Sequence, residues 1–276
     1  MKTVMALWQR NLKAFVRNRT SLVFSTIFPF FFLYIFNSIF SNEFVEDPVA
    51  YMLAGIIIST VFEISLRISS STIDDMASGF MKEVLVSPVK RITIAAGQFL
   101  SSATIATAQA LIIFIIGFFI GYRVESWLTI VYVILMMIFV GLVFAGFGLF
   151  LATKTKNTQT FQIVSMAISM PMMFISGAYI PLSMVPNTIQ IIGRFNPMTY
   201  AVAAFRWVAL ERTHLGTQEL INEELAFTIG NFTVTPMISL VILLGFGVLF
   251  LALSTISFTR TDFSKLNRSK ADSIEW

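Results

Sequence analysis

The chain has 276 residues, of which 56% are hydrophobic and only 12% charged, with a formal net charge of +4 and a mean hydropathy of +0.80. A soluble domain is nearer a quarter charged, and a soluble fold of this length could not hide so much apolar surface. The chain contains no cysteine, which excludes disulfides and thiolate metal sites.

Crossing a hydrocarbon core about 30 Å thick takes about 20 apolar residues, and only a helix satisfies its own backbone groups there. The expected fold is therefore an all-α integral membrane protein. Residues 1–20 come first. Val4, Leu7, Trp8, Leu12, Phe15 and Val16 recur at helical spacing, opposed by Gln9, Arg10, Lys13 and Arg17. This pattern predicts a helix lying on the inner membrane surface, with an unstructured basic tail as the alternative. A basic stretch of this length, with no A-x-A-like site after the first span, is not the pattern of a cleaved signal.

Six spans are expected, at 21–40, 49–73, 92–121, 127–152, 158–180 and 236–258. The second carries Glu63 and Arg67, four residues apart and so on one helix face. Ionisable residues at membrane depth pair with each other, face the bundle interior or water, and mark pathways. A structural ion pair, a substrate contact and a proton relay through Glu63 all remain open. Ser69, Ser70, Ser71 and Thr72 follow and keep the inner half of this span polar, as a water-exposed wall would be.

Residues 74–88 are not a plain linker. Phe80, Val84 and Leu85 share one face of a short helix that Pro88 ends, with Asp74 or Asp75 suited to its start. Such a helix either inserts in a partner's groove or rests on lipid headgroups. In the third and fourth spans, Gly117 and Gly121 form a GxxxG, and Gly141, Gly146 and Gly148 add small positions. Close helix packing is their expected use.

Residues 181–210 are apolar but broken by Pro181, Pro186, Gly193, Arg194, Asn196 and Pro197, and each half is too short to cross. Two helices entering the outer leaflet and returning are expected, a geometry tolerated where the bent backbone is buried in protein or faces water. A surface helix pair is the alternative.

Orientation follows from the basic residues, which accumulate on the cytoplasmic side of short loops. The amino-terminal stretch, the second-to-third and fourth-to-fifth loops and the carboxy-terminal tail hold 14 of the 19. The opposite loops hold Glu43, Glu46, Asp47, Glu125, Glu211, Glu219, Glu223 and Glu224, with Arg123, Arg194, Arg206 and Arg212. Both termini are expected in the cytoplasm and the chain in the plasma membrane. Positive charge spread over every inner loop accounts for the pI near 9.4 without nucleic acid as a partner. There is no GxxxxGK[ST] phosphate loop, so ATP hydrolysis is expected elsewhere. The single histidine, His214, stands apart from any ligand cluster. No catalytic residue, metal or cofactor is expected in this chain.

Two motifs, G-F-M-K-E-V-L-V-S-P-V-K-R at 79–91 and S-G-A-Y-I-P-L-S-M-V-P at 176–186 followed by N-P-M-T-Y-A-V-A-A-F-R at 196–206, resemble those of the type 2 ABC transporter permeases. The likeness is greatest to the drug-export branch typified by daunorubicin exporters, and it runs over nearly the whole chain. It implies a homodimer, or a heterodimer with a sister permease, bound to two separate cytoplasmic ATPase subunits that hold ATP and magnesium. It makes 74–88 the coupling helix, with Gly79, Phe80, Met81, Lys82, Glu83, Ser87 and Pro88 toward the ATPase. It makes 181–210 the outer re-entrant helices, with Gly177, Pro181, Pro186, Asn196, Pro197 and Arg206 at the exit. The stretch 1–20 becomes the interfacial connecting helix.

The implied mechanism is alternating access, with the second and fifth spans lining the path and Glu63 and Arg67 on its wall. The 29 phenylalanines suit a drug-like, amphipathic or lipid-like cargo, although lipid-facing helices also use phenylalanine freely. Rival readings are export of polysaccharide, teichoic acid or sodium by the same architecture, or a proton-driven secondary transporter or channel of another class.

Overall fold

The computed structural model describes residues 2–39, 48–78, 91–155, 157–229 and 232–260. Among these, the long helices are α1 (Lys2–Arg17), α2 (Arg19–Ile39), α3 (Pro48–Ala77), α4 (Arg91–Ile120), α5 (Trp127–Lys154) and α6 (Thr158–Ile175). A single 3-10 turn (Leu182–Met184) then leads to the short helices α7 (Asn187–Gly193) and α8 (Pro197–Ala209). After a second 3-10 turn (Arg212–His214) come α9 (Thr217–Asn222), a hairpin of β1 (Phe227–Ile229) and β2 (Phe232–Val234), and α10 (Pro236–Arg260).

Among the described residues, four stretches are long and apolar enough to cross a membrane: Val49–Met76, Arg91–Ile120, Trp127–Lys154 and Pro236–Thr259. At 1.5 Å per residue each exceeds the ~30 Å hydrocarbon core. The other two expected spans are occupied by α2 and by the 18-residue α6. The chain is a mostly helical membrane protein.

Helix α3 is the axis of the bundle and packs against α2, α4, α5, α6 and α8. Its first two thirds are apolar on most faces. Accordingly Leu53, Ile56, Ile57, Ile58, Val61 and Phe62 are all buried, Phe62 edge-on to Phe144 of α5 at 4.6 Å between ring centroids. Helix α10 is the opposite case. It leaves Met237, Val241, Leu244, Val248 and Ile256 exposed along its length, as a lipid-facing helix does.

Glycines set several of the crossings. A Cβ on Gly117 would lie 3.0 Å from Leu53 Cδ1, one on Gly141 3.2 Å from the backbone of Ala103, and one on Gly146 3.2 Å from the backbone of Phe250 and Leu251. At Gly148 it would lie 3.1 Å from the backbone of Leu66. Gly121 differs from the expectation. It has open space around it and a φ of +120°, so it turns the chain after α4 rather than packing a helix.

The expected boundaries change in three places. Helix α6 ends at Ile175 rather than 180, because Gly177 adopts a φ of +81° and Ser176 Oγ turns back to accept from Ala178 N. Helix α3 runs on to Ala77, so Asp74 and Asp75 close this helix instead of starting a new one. The β-hairpin was not foreseen, although the sequence carries Gly230-Asn231 between FTI and FTV, a recognisable hairpin signal.

Helix α1 is also more than an amphipathic strip on lipid. Leu7 is buried with Met76, Ile94, Ala95, Leu149 and Phe258, and Trp8 Nε1 donates to Thr104 Oγ1 at 3.1 Å. Asn11 is buried and donates to Gln98 Oε1 at 2.9 Å and Ser101 Oγ at 3.1 Å. Arg10, assigned to the polar face, turns inward to Asp75 at 2.5 Å. Val16, assigned to the apolar face, is exposed.

Candidate functional site

The features of interest lie at three levels along α3. At mid-helix, Glu63 and Arg67 stand on the one face of α3 that the bundle does not cover. Glu63 is exposed and Arg67 half-buried, while Phe62, Ile64, Ser65 and Leu66 beside them are buried. Facing them is α6, whose Ile163, Met166, Met170 and Phe174 form an exposed stripe at helical spacing.

Between the two helices is a cavity of about 460 Å³. Glu63, Arg67, Ser70 and Tyr179 supply polar groups to its wall, and Phe161, Met166, Met170, Met173 and Phe174 the apolar surface. The cavity can therefore hold a largely apolar molecule and offer it one anionic and one cationic contact. Thioether side chains suit such a role, because they repack around different shapes.

The serine cluster below is less of a water wall than its composition suggests. Ser69 and Thr72 are buried, and the hydroxyls of Ser69, Ser70 and Ser71 donate to the carbonyls of Ser65, Arg67 and Ile68 on their own helix. Only Ser70 of the four lines the cavity.

At the Tyr51 end of α3, Arg206 was expected among the charges of the outer loops, yet it is buried. Its guanidinium lies 3.4 Å from the ring centroid of Tyr51, donates from Nε to Tyr51 O at 3.3 Å, and from Nη2 to Ala178 O at 2.9 Å. A buried cation needs such partners to offset lost hydration. The same Ala178 carbonyl packs against Gly55, where a Cβ would lie only 2.8 Å from the carbonyl carbon and closer still to the oxygen. Gly55, Tyr51, Ala178 and Arg206 thus fasten α3, the turn after α6 and α8 to one another.

The remaining residues that were expected at the exit hold the short helices. Asn196 caps α8, its Oδ1 accepting from Met198 N at 3.0 Å, and its Nδ2 donates to Met172 O of α6 at 2.6 Å. Pro197 occupies the first turn of α8, where its missing N–H costs nothing. Pro181 is buried and starts the 3-10 turn, whereas Pro186 is exposed and precedes α7. A second cavity, of about 200 Å³, lies beside Arg206 and includes Gly177, Arg194 and Glu224 in its wall.

At the other end of α3, Asp75 takes Arg10 of α1 and Asp74 accepts from Thr158 Oγ1 of α6 at 2.6 Å. The residues assigned to ATPase contact, Gly79, Phe80, Met81, Lys82, Glu83, Ser87 and Pro88, lie outside the described residues.

Sequence reasoning missed Tyr51, Gly55, Glu224 and the methionines of α6. Met166, Met170 and Met173 had a usable signal, since with Ser165 and Ser169 they repeat at helical spacing. Tyr51 and Gly55 had none, because their partners lie more than 120 positions away.

Comparison with known proteins gives the architecture a lineage. The profile of the ABC-2 type transporter family matches residues 2–210. The chain is 25% identical over 239 residues to the transport permease ycf38 of Cyanophora paradoxa, covering 83% of this chain and 80% of that one. It is 25% identical over 213 residues to the daunorubicin resistance ABC transporter permease protein DrrB1 of Streptomyces coeruleorubidus, covering 74% and 73%. With the inner membrane transport permease YadH of Escherichia coli K12 it shares 23% over 159 residues, covering 57% and 61%. With three quarters of its length matched by one family profile, the chain belongs to the ABC-2 type transporter family.

Proposed function

We propose that this chain is the membrane-spanning permease subunit of an ATP-driven exporter, moving a drug-like, amphipathic or lipid-like molecule out of the cytoplasm by alternating access. The observation that carries this reading is the cavity at Glu63 and Arg67. A carboxylate exposed on the outside of an otherwise buried membrane helix is costly against lipid. That cost is relieved if a second copy of the chain, or a sister permease, packs over the α3–α6 face and turns the cavity into an enclosed path. Glu63 and Arg67 then touch cargo on the wall between the two subunits.

In this reading α2, α3, α4, α5, α6 and α10 are the six spans. Helices α7 and α8, about 10 Å and 20 Å long at 1.5 Å per residue, are too short to cross and re-enter from the outer side. The charge distribution supports both termini lying in the cytoplasm, with the complex in the plasma membrane. Two separate ATPase subunits bind ATP with magnesium and engage the segment that contains Phe80, Met81, Lys82 and Glu83. The likeness to DrrB1 supports a drug-like cargo over polysaccharide, teichoic acid or sodium.

The test is export from inverted vesicles holding the permease with its ATPase. ATP-dependent movement of a lipophilic dye or drug is expected, and Glu63→Gln should reduce it at least tenfold while membrane abundance stays within twofold of wild type. Equal loss of abundance and export in Glu63→Gln would assign Glu63 a structural role. Cargo movement driven by a proton gradient without ATP would overturn the reading.

A further inference from the structure

The two faces of α1 meet different surroundings. One is fixed to the bundle: Leu7 is buried beside Ile94 of α4, Asn11 donates to Gln98 and Ser101 of α4, and Arg10 pairs with Asp75 of α3. Gly97 of α4 makes room for this seat, since a Cβ there would lie 3.1 Å from Leu7 Cβ. These contacts set the roll of α1 and hold its other face away from the bundle. That face carries Lys13, Val16 and Arg17, all exposed, and Arg19 is exposed at the start of α2, just beyond the break at Asn18.

The cations of this corner have no counter-charge beside them. Among the described residues no carboxylate pairs with Lys13, Arg17 or Arg19, and the sequence holds no Asp or Glu before Glu43. Arg10, by contrast, is already taken by Asp75. Helix α2 continues the exposed surface with apolar side chains. Arg19, Val23, Ile27 and Phe31 recur at every fourth position, which keeps them on one side of the helix, and all of them are exposed. At 1.5 Å per residue, about 18 Å separates Arg19 from Phe31, against about 15 Å for the hydrocarbon of one leaflet. None of these residues lines either cavity.

Uncompensated cations thus stand at one end of an apolar strip as long as an acyl chain in one leaflet. A phospholipid presents the complementary parts in the same order, and its phosphodiester takes charge-assisted hydrogen bonds from Arg and Lys. A soluble polyanion, or an acidic surface of a partner protein, would satisfy the cations but leave Val23, Ile27 and Phe31 uncovered. A choline headgroup would bring a further cation to a corner that already lacks counter-charge. We propose that the α1–α2 corner binds an anionic phospholipid, its headgroup held by Lys13, Arg17 and Arg19 and an acyl chain laid along Val23, Ile27 and Phe31.

The test uses the full-length chain and neither ATP nor cargo, so its failure leaves the export reading untouched. The protein is placed in nanodiscs of equal phosphatidylglycerol and phosphatidylcholine with matched acyl chains, and the lipid it retains on release is measured by native mass spectrometry. The wild type should prefer phosphatidylglycerol by at least about tenfold. Lys13→Gln, Arg17→Gln and Arg19→Gln should each lower that preference about fivefold, for one cation lost beside an anionic headgroup, and the three together should abolish it. Phosphatidylglycerol should also raise the thermal midpoint of the wild type above that in phosphatidylcholine alone, and should not raise that of the triple variant. The single variants carry the test if the triple variant does not fold. Lys154→Gln is the control. Its ammonium lies 5.7 Å from the Phe150 ring in the last turn of α5, so the same charge is lost away from the corner and the preference should be unchanged.

Equal retention of the two lipids by the wild type would overturn the proposal. So would a preference that the variants at 13, 17 and 19 leave intact, or one that Lys154→Gln lowers as far as Lys13→Gln does. Displacement of the retained lipid by equimolar glycerol 3-phosphate would show a phosphate site that does not use the apolar strip, and would overturn it as well.

Discussion

Replacing Gly55 by alanine tests the outer junction at its tightest point. The new Cβ would overlap the Ala178 carbonyl, lying 2.8 Å from its carbon and 3.2 Å from its Cα. Ordinary contact begins near 3.4 Å, so the carbonyl carbon must retreat by about 0.6 Å and the oxygen by more. These neighbours are backbone atoms, which do not swing aside as a side-chain tip does. Overpacking of this kind costs about 1–3 kcal/mol, while alanine returns about 1 kcal/mol of helix propensity. The retreat also pulls Ala178 O from Arg206 Nη2, now 2.9 Å away, and a hydrogen bond to a charged group is worth about 1.5–3 kcal/mol. The net is a loss on the order of 3 kcal/mol, a drop of roughly 5–10 °C in thermal midpoint for a chain of this size. Fluorescence-detected size exclusion after a heating series in detergent reads it directly. Gly245→Ala is the control, since a Cβ there has open space in α10, and it should leave the midpoint unchanged or slightly raised. A Gly55→Ala midpoint equal to that of Gly245→Ala would refute the close approach and the junction built on it.

Three other outcomes are expected. Burial disfavours the charged form of Glu211, but hydrogen bonds from Thr129 Oγ1 and the backbone N–H groups of Glu125 and Ser126 outweigh it and hold the carboxyl below its ordinary value of 4.5. A lowered folded-state value means stability present above pH 4.5 and lost as the pH falls through the folded-state value. Thermal midpoints between pH 7 and 3 should therefore show an acid-side loss that Glu211→Gln diminishes. Asn196→Ala removes the cap on α8 and the tie to Met172 O, and should cost about 1–3 kcal/mol, read as a shifted denaturation midpoint. Glu83→Ala and Phe80→Ala should abolish cargo-stimulated ATPase activity of the reconstituted complex while the permease stays inserted at normal levels; stimulation at the wild-type level would remove the coupling assignment.

Period and length made much of the bundle legible. The runs later found as α3, α4, α5 and α10 are each apolar for longer than a soluble core element, and only a bilayer explains that. What the sequence left open depends on partners far along the chain. Arg206 reads as an outer-loop charge because nothing near it in sequence shows the Tyr51 ring, 155 positions away, against which it packs. Asp74 and Asp75 read as a helix start because carboxylates favour that position. Thr158 and Arg10, from α6 and α1, instead satisfy them at a helix end. Ser69 to Thr72 read as wetted because composition cannot distinguish a hydroxyl facing water from one bonded to the carbonyl a turn behind it. Gly121 matched a packing motif by spacing alone, while its φ of +120° shows a turn.

The tyrosine and the ionisable side chains of α3 fall at three heights: Tyr51, Glu63 with Arg67, and Asp74 with Asp75. Thirty residues at 1.5 Å put about 45 Å between the helix ends. Each height meets a different element, the turn at 176–179 and α8 at the Tyr51 end, the cavity face of α6 in the middle, α1 and the start of α6 at the Asp75 end. Tight glycine contacts at Gly117 and Gly148 against Leu53 and Leu66 leave α3 little freedom to bend between them. If a helix so packed moves as a body, a displacement at Asp75 is carried to Glu63 and to the Gly55–Ala178 contact. In the proposed exporter, the segment that follows Ser78 then needs no separate relay to reach the outer junction. In that proposal, a displacement of the Asp75 end by the ATPase would act on the cavity wall and on the turn at 176–179 through one helix.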